Sequence, residues 1–337
     1  MNKQTILFLD NTYPKAYQLS TLKQQALGGT ESSVVKTALI LSQKYNVIVA
    51  QKFRDKVHTE NDSLCFIPKS KMDKTKPDFI VVLRKYPLLK DLHQQFPQAK
   101  LFLWLHTYKN TEYVFKRMGL SKTNTTLVCN SKTHAIHTAQ ILNNSFLGSL
   151  FSLFSNKTKV AYCYNPIAKP DKPPIKRDIN KLLFFSSPNK GLKQVVKSFN
   201  AINKKLPDLR LYIANPGYKD DKSIELNKNI IVLGSLPHQQ MMQHVAESLC
   251  VFYPQDSFAE TFGLIYAEAN ALGTPVLAHD IGAAREILHS NNKLIDANDI
   301  QQIEKTIVSW QQDFPKVEYN KKFNYENILQ QWQRVLQ

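Results

Sequence analysis

Short β-branched or aromatic runs alternate with amphipathic stretches of helical period, and this alternation runs through the chain twice. In the first pass the runs are TILFLD, NVIVA, DFIVVLR, KLFLWLH, TTLVCNS and KVAYCYN. Between the first two, GTESSVVKTALILSQKY places Val34, Val35, Ala38, Leu39 and Leu41 at helical spacing. A Pro- and Lys-rich stretch then follows, NPIAKPDKPPIKRDIN from Asn165 to Asn180, with the composition of an interdomain linker. The pattern restarts with KLLFFSS, DLRLYIAN, NIIVLGS, CVFYP and TPVLAHD, separated by helical stretches at 191–206, 237–249 and 261–272. Repeated β-α-β units predict α/β domains with doubly wound parallel sheets. A chain of 337 residues is also too long for one comfortable core. The expected domains are 1–166, a linker at 167–180, 181–320, and a closing helix at 321–337 that packs back toward the first domain.

Composition narrows the class further. No apolar run reaches the length of a membrane span, and the opening MNKQTILFLDNTYPK reads as a first strand. A cytoplasmic location is the expectation. Cys65, Cys129, Cys163 and Cys250 are scattered singly, without paired spacing or a Cys/His cluster, which predicts reduced thiols and no metal site. The net charge of +17 is uneven. Residues 1–165 hold 23 Lys and Arg against 9 Asp and Glu, and residues 166–337 hold 21 against 18. A lysine-rich proteome would load both halves alike, so the first half is expected to face an anionic partner.

The stretch DSFAETFGLIYAEANALGTPVLAHD, residues 256–280, sets two glutamates, Glu260 and Glu268, among apolar and small residues. Carboxylates so placed are costly unless something pairs with them. A helix from about Thr261 to Leu272, closed by Gly273 and Pro275, places Glu260, Thr261, Phe262, Gly263 and Leu264 at its N-terminus. There the amides and the positive end of the dipole attract phosphate. Glu268, two turns after Thr261, projects from the same face and suits a vicinal diol such as a ribose. Taken alone, the two would pass for a capping glutamate and a surface glutamate.

Their context is more specific. FAETFGLIYAEANALGTPV resembles the E-x7-E signature of the retaining glycosyltransferases of family 4. The resemblance implies a GT-B fold: two Rossmann-like doubly wound domains facing a central cleft. It implies that Glu260 contacts the donor hexose and Glu268 the nucleotide ribose. ALGGTESSVVKTALILS looks like the family's glycine-rich loop and helix, putting Gly28, Gly29 and Thr30 near the donor pyrophosphate. FFSSPNKGLKQVV resembles the family's phosphate loop, with Lys190 as the cation. Here the sequence departs from the family, for the arginine expected upstream is replaced by Phe184, Phe185, Ser186 or Ser187, leaving Ser187 and backbone groups or Lys190 alone. His106 in LWLHTYKN matches a histidine near the reacting carbon. LGSLPHQQM, with Leu236, looks like the loop that meets the base.

The expected function is retaining transfer of a hexosyl unit from a nucleotide-sugar, UDP-linked in preference to GDP-linked, to a glycan or lipid-linked acceptor in surface polysaccharide or lipopolysaccharide assembly. No metal or other cofactor is expected. The catalytic candidates are His106 and Glu260, with closure about the 165–180 region assembling the site. The basic first half suits an anionic membrane surface and peripheral attachment at its inner face. Lys116, Arg117 and Lys122, mixed with Tyr113, Val114 and Phe115, suggest an interfacial helix in KNTEYVFKRMGLSK, and FLGSLFSLF is a second candidate. Nucleic acid ranks below the membrane because no finger, RNA-recognition or helix-turn-helix signature is present. The competing readings are a two-lobed sugar or nucleotide binder without catalysis, and a same-fold epimerase or phosphorylase. Steady release of nucleoside diphosphate separates the binder from the transferase.

Overall fold

The computed structural model describes residues 3–151, 154–170, 176–214 and 227–337. Residues 171–175 of the expected linker, and residues 152 and 153 of FLGSLFSLF, lie outside them. The chain divides into two compact units. One comprises Met1–Leu19, Gly29–Pro166 and Tyr325–Gln337, and the other Ser20–Gly28 and Ile167–Asn324.

The first unit is built on β1 (Thr5–Asp10), β2 (Asn46–Gln51), β3 (His58–Asn61), β4 (Leu64–Pro68), β5 (Phe79–Leu83), β6 (Lys100–Trp104), β7 (Thr126–Cys129) and β8 (Val160–Tyr162). They form one sheet in the order β3-β4-β2-β1-β5-β6-β7-β8, parallel except for β3. The central strands are buried on both faces, Ile6–Leu9 and all of β5 among them, as a parallel sheet covered by helices requires. The β3–β4 hairpin escapes a reading based on apolar runs because HTEN is polar. Polar residues suit an edge strand, where an apolar one would invite pairing with other chains.

The second unit holds β9 (Asp178–Phe185), β10 (Arg210–Ala214), β11 (Ile230–Gly234), β12 (Ser248–Tyr253), β13 (Val276–His279) and β14 (Lys293–Ile295). Their order is β11-β10-β9-β12-β13-β14, with every pairing parallel. In each sheet the chain starts in the middle and winds outward in both directions. The order therefore reverses between β1 and β5 in one unit and between β9 and β12 in the other. Open α/β sheets form a crevice at such a switch point, outside the carboxyl ends of the strands.

Two sequence expectations need correction. KNTEYVFKRMGLSK is not one amphipathic helix: Thr111–Lys116 is a 3-10 helix, and a short α-helix begins only at Arg117, which is wholly buried. The helix expected from Thr261 runs from Leu264 to Ala271, because Gly263 before it has φ +81°, a left-handed conformation that cannot belong to a right-handed helix.

The closing helix, Tyr325–Leu336, belongs to the first unit. It buries Ile328, Leu329, Trp332 and Leu336, spaced along one face. Trp332 is fully buried, its ring 6.0 Å from that of Phe8 and 5.0 Å from that of Trp104. Its indole N–H finds no partner among the described residues. Trp332→Ala is therefore expected to destabilise the first unit by about 3–5 kcal/mol. Trp332→Phe should cost much less, since it keeps the ring contacts and removes a buried unsatisfied donor. Denaturant unfolding of the two variants checks both.

Candidate functional site

At the switch point of the second unit, the loops after β9 and β12 come together. The β9 loop carries Ser187 and Lys190 and turns into the helix Leu192–Asn203 at Gly191, which has φ +85°. A Cβ on Gly191 would lie 2.5 Å from the Cβ of Gln255 in the β12 loop, so only glycine lets the loops approach this closely. Lys190 Nζ donates to both oxygens of Glu260, at 2.8 and 3.1 Å, and lies 4.7 Å from the centre of the Phe258 ring. Lys190 is thus held in place, unlike a solvated surface lysine. Glu260 Oε1 also accepts from the buried hydroxyl of Tyr253, at 3.2 Å. Burial, and then the Glu260 charge, hold the Tyr253 phenol well above its usual range, so it remains a donor.

Downstream, Gly263 begins the helix Leu264–Ala271. The first intrahelical bonds run from the Tyr266 and Ala267 amides to the Gly263 carbonyl, at 3.0 and 3.3 Å. The amides of Gly263, Leu264 and Ile265 therefore precede the ladder, where a helix offers N–H groups to an anion. Because the helix starts at Leu264, Glu268 shares a face with Leu264 and not with Thr261. Glu268 Oε1 lies 2.9 Å from Nε2 of His238, which stands just after the Leu236–Pro237 loop. The Phe262 ring is buried against Phe323, with centroids 5.0 Å apart, so what Phe262 can offer a ligand is backbone. No arginine fills the family's upstream position: Phe184 and Phe185 are core, and Ser186 is buried.

The first unit has its own switch-point cluster, which the sequence reading missed. Arg84 follows β5 in a left-handed conformation, φ +63°. Its Nη2 is 2.7 Å from Glu31 Oε1 and 3.8 Å from Asp10 Oδ1. Glu31 stands in the first turn of the helix Gly29–Leu41, two residues after Gly29 and next to Thr30, and Asp10 ends β1. Burial pushes the Glu31 carboxyl up, against the pull of Arg84. Asp10 also accepts from the Tyr17 hydroxyl at 2.8 Å. The available signals were a charge directly after a Gly-Gly-Thr turn, and single charges at the ends of apolar strands.

His106 follows β6. Its Nδ1 lies 3.2 Å from the Trp104 carbonyl, so Nδ1 carries the proton in the neutral ring and Nε2 holds the lone pair. Burial, and then Arg84, push its ionisation well below the ordinary histidine range. The loop is anchored by the buried His134, whose Nε2 donates to the Thr107 carbonyl at 3.2 Å while its Nδ1 accepts from the Asn130 amide at 3.3 Å.

Residues 169–328 match the model of glycosyl transferases group 1. The match falls almost wholly within the second unit, which is thus similar to a glycosyl transferase group 1 domain. A curated relative, the GDP-mannose-dependent monoacylated alpha-(1-6)-phosphatidylinositol monomannoside mannosyltransferase of Corynebacterium glutamicum, is 24% identical over 131 residues, covering 36% of this chain and 34% of its own. The chain thus spans about a third of that relative's length. Among solved structures, alpha,alpha-trehalose 6-phosphate synthase from Burkholderia multivorans superposes with TM-score 0.69 at 10% identity, over 100% of this chain and 96% of that one. Anabaena HepE, solved with UDP and glucose, gives 0.66 at 14% identity, over 99% of both chains. Likeness at these identities shows the fold, which is GT-B, with two Rossmann-like domains.

Two predictions follow from this geometry. Gly263→Ala puts a side chain at left-handed φ, with its Cβ 2.3 Å from the Tyr266 ring. It should destabilise by about 1–3 kcal/mol through the backbone alone, read as a lower unfolding midpoint. His134, buried and neutral, titrates at about 4 against 6.5 for the free side chain. The folded state therefore binds fewer protons, and its stability, full above pH 6.5, should fall by roughly 3 kcal/mol between there and pH 4. His134→Gln should flatten that part of the stability profile.

Proposed function

We propose that the protein is a retaining glycosyltransferase that moves a hexosyl unit from a nucleotide-sugar, UDP-linked in preference to GDP-linked, to a glycan or lipid-linked acceptor. The observation that carries this reading is the cation–carboxylate pair Lys190–Glu260, with Glu260 three residues ahead of the Gly263 turn and the helix amides. A diphosphate would meet Lys190 and the amides of Gly263, Leu264 and Ile265, with Ser187 nearby in the lysine's own loop. Its ribose diol would displace His238 from Glu268, and its base would lie by Leu236. Glu260, released from Lys190, would accept from the sugar hydroxyls. Gly28, Gly29, Thr30 and His106 are assigned to the transferred sugar and the acceptor.

No carboxylate stands out as a nucleophile, so a front-face displacement is favoured. The acceptor oxygen bonds to the anomeric carbon while the bond to the β-phosphate breaks, and the departing phosphate takes the acceptor proton. The residues around the leaving group would act by stabilising the negative charge that develops there. This chemistry needs no metal. HepE was solved with UDP and glucose, which supports the donor class, and the Corynebacterium relative is named as acting on a phosphatidylinositol glycolipid, which supports a lipid-linked acceptor. Assembly of a surface polysaccharide or lipopolysaccharide at the inner face of the membrane is the setting that best suits the basic first half. No helix among the described residues is long and apolar enough to cross a membrane.

Lys190→Ala and Glu268→Ala are each expected to lower kcat/KM by at least about a hundredfold, with the thermal midpoint of Glu268→Ala near wild type and that of Lys190→Ala, which leaves Glu260 without its cation, lowered but still cooperative. The assay is release of nucleoside diphosphate from a panel of nucleotide-sugars. Full activity in both variants would remove the assignment.

A further inference from the structure

The first unit presents an apolar surface on a rigid base. Phe115, Met118, Phe146, Leu150 and Phe154 are exposed, the three phenylalanines at 62, 86 and 72%. They come from Thr111–Lys122 and from residues 146–151 and 154, stretches tied together by one side chain. Arg117, fully buried between them, donates from Nε to the Asn156 carbonyl at 3.2 Å. Its Nη1 donates to the carbonyls of Leu142, at 3.1 Å, and Gly148, and its Nη2 to that of Ser155 at 3.1 Å. Phe115 meets Phe151 edge-on, with centroids 5.8 Å apart. Four carbonyls on one guanidinium anchor the backbone at Leu142, Gly148, Ser155 and Asn156. The exposed rings are thereby held outward by the frame beneath them, and burying them would mean stripping a buried charge of its partners.

The stretch of chain that carries this surface is strongly basic. Between residues 105 and 160 the only carboxylate is Glu112, against Lys109, Lys116, Lys122, Lys132, Lys157 and Lys159. Apolar tips on a lysine-rich stretch match the boundary of an anionic bilayer, where rings enter the acyl region and ammonium groups meet headgroup phosphates.

We propose that this surface, clamped by Arg117, docks the protein onto an anionic phospholipid bilayer. For its purpose the proposal rests on the reading of a lipid-linked acceptor, but docking itself needs neither donor nor acceptor.

The test is co-sedimentation of the full chain with vesicles of mixed phosphatidylglycerol and phosphatidylcholine, and with phosphatidylcholine alone. Wild type is expected to pellet with the mixed vesicles and only weakly with the neutral ones. Phe146→Ser with Phe154→Ser, and separately Lys122→Glu with Lys157→Glu, should each lower apparent affinity by at least about tenfold. All four side chains are exposed, so thermal midpoints should not move. Lys190→Ala, which strikes the donor pocket, should bind vesicles as wild type does, so failure of the transferase reading and failure of this one are told apart. The proposal falls if wild type stays in the supernatant, or if the double serine variant pellets equally. It also falls if size exclusion shows self-association that this variant abolishes while wild type ignores vesicles, because the occupant is then a second copy.

Discussion

The account depends on the pairing of Lys190 with Glu260 at the mouth of the second sheet. Two opposite charges, each only partly wetted, satisfy one another across 2.8 Å, and Tyr253 supplies a further donor from the core side. Breaking a pair in such surroundings leaves an uncompensated charge, which is expensive unless a ligand takes over both halves. A phosphate for the ammonium and hydroxyls for the carboxylate do so together. In the proposed reading Lys190 and Glu260 would thus be a resting pair that a ligand exchanges, and Glu268, in the helix that follows, makes a similar contact with His238.

The fold creates this place by topology. Both sheets start centrally and wind outward in both directions, so each has a reversal point where the connections after two neighbouring strands lead off in opposite directions and a crevice forms between their loops. In the second unit those loops carry Lys190 and Glu260. In the first, Asp10 ends β1, Arg84 follows β5, and the helix Gly29–Leu41 brings Glu31 to them. The two units use the same geometry with different chemistry. The first holds one arginine between two carboxylates beside a neutral histidine, and the second holds one lysine on one carboxylate beside a helix N-terminus.

Much of this was legible in the residues. Parallel strands buried on both faces leave continuous apolar runs, so TILFLD, DFIVVLR and CVFYP announce themselves. The polar β3 does not, because an edge strand is selected against being apolar. Glu260, Glu268 and Lys190 could be singled out because each stands in an unusual local context. What could not be read was pairing. His238 meets Glu268 across 30 positions, Arg84 meets Glu31 across 53, and Lys190 meets Glu260 across 70, and nothing local to either member of a pair names the other. The start of the helix at Leu264 was misread for a related reason. Thr261 and Phe262 suit a first turn by residue type, but the left-handed Gly263 excludes them, and a side chain at that position would meet the Tyr266 ring. Arg117 is the clearest case of all: within a lysine-rich stretch it reads as one more surface cation, yet it is the buried centre of a loop.

A crystal soaked with UDP tests the central exchange most directly. The account predicts the diphosphate against the Gly263 and Leu264 amides, Lys190 Nζ turned from Glu260 onto a phosphate oxygen, and the ribose diol on Glu268 in place of His238. A nucleotide bound elsewhere, with Lys190 still on Glu260 and His238 still on Glu268, would contradict it.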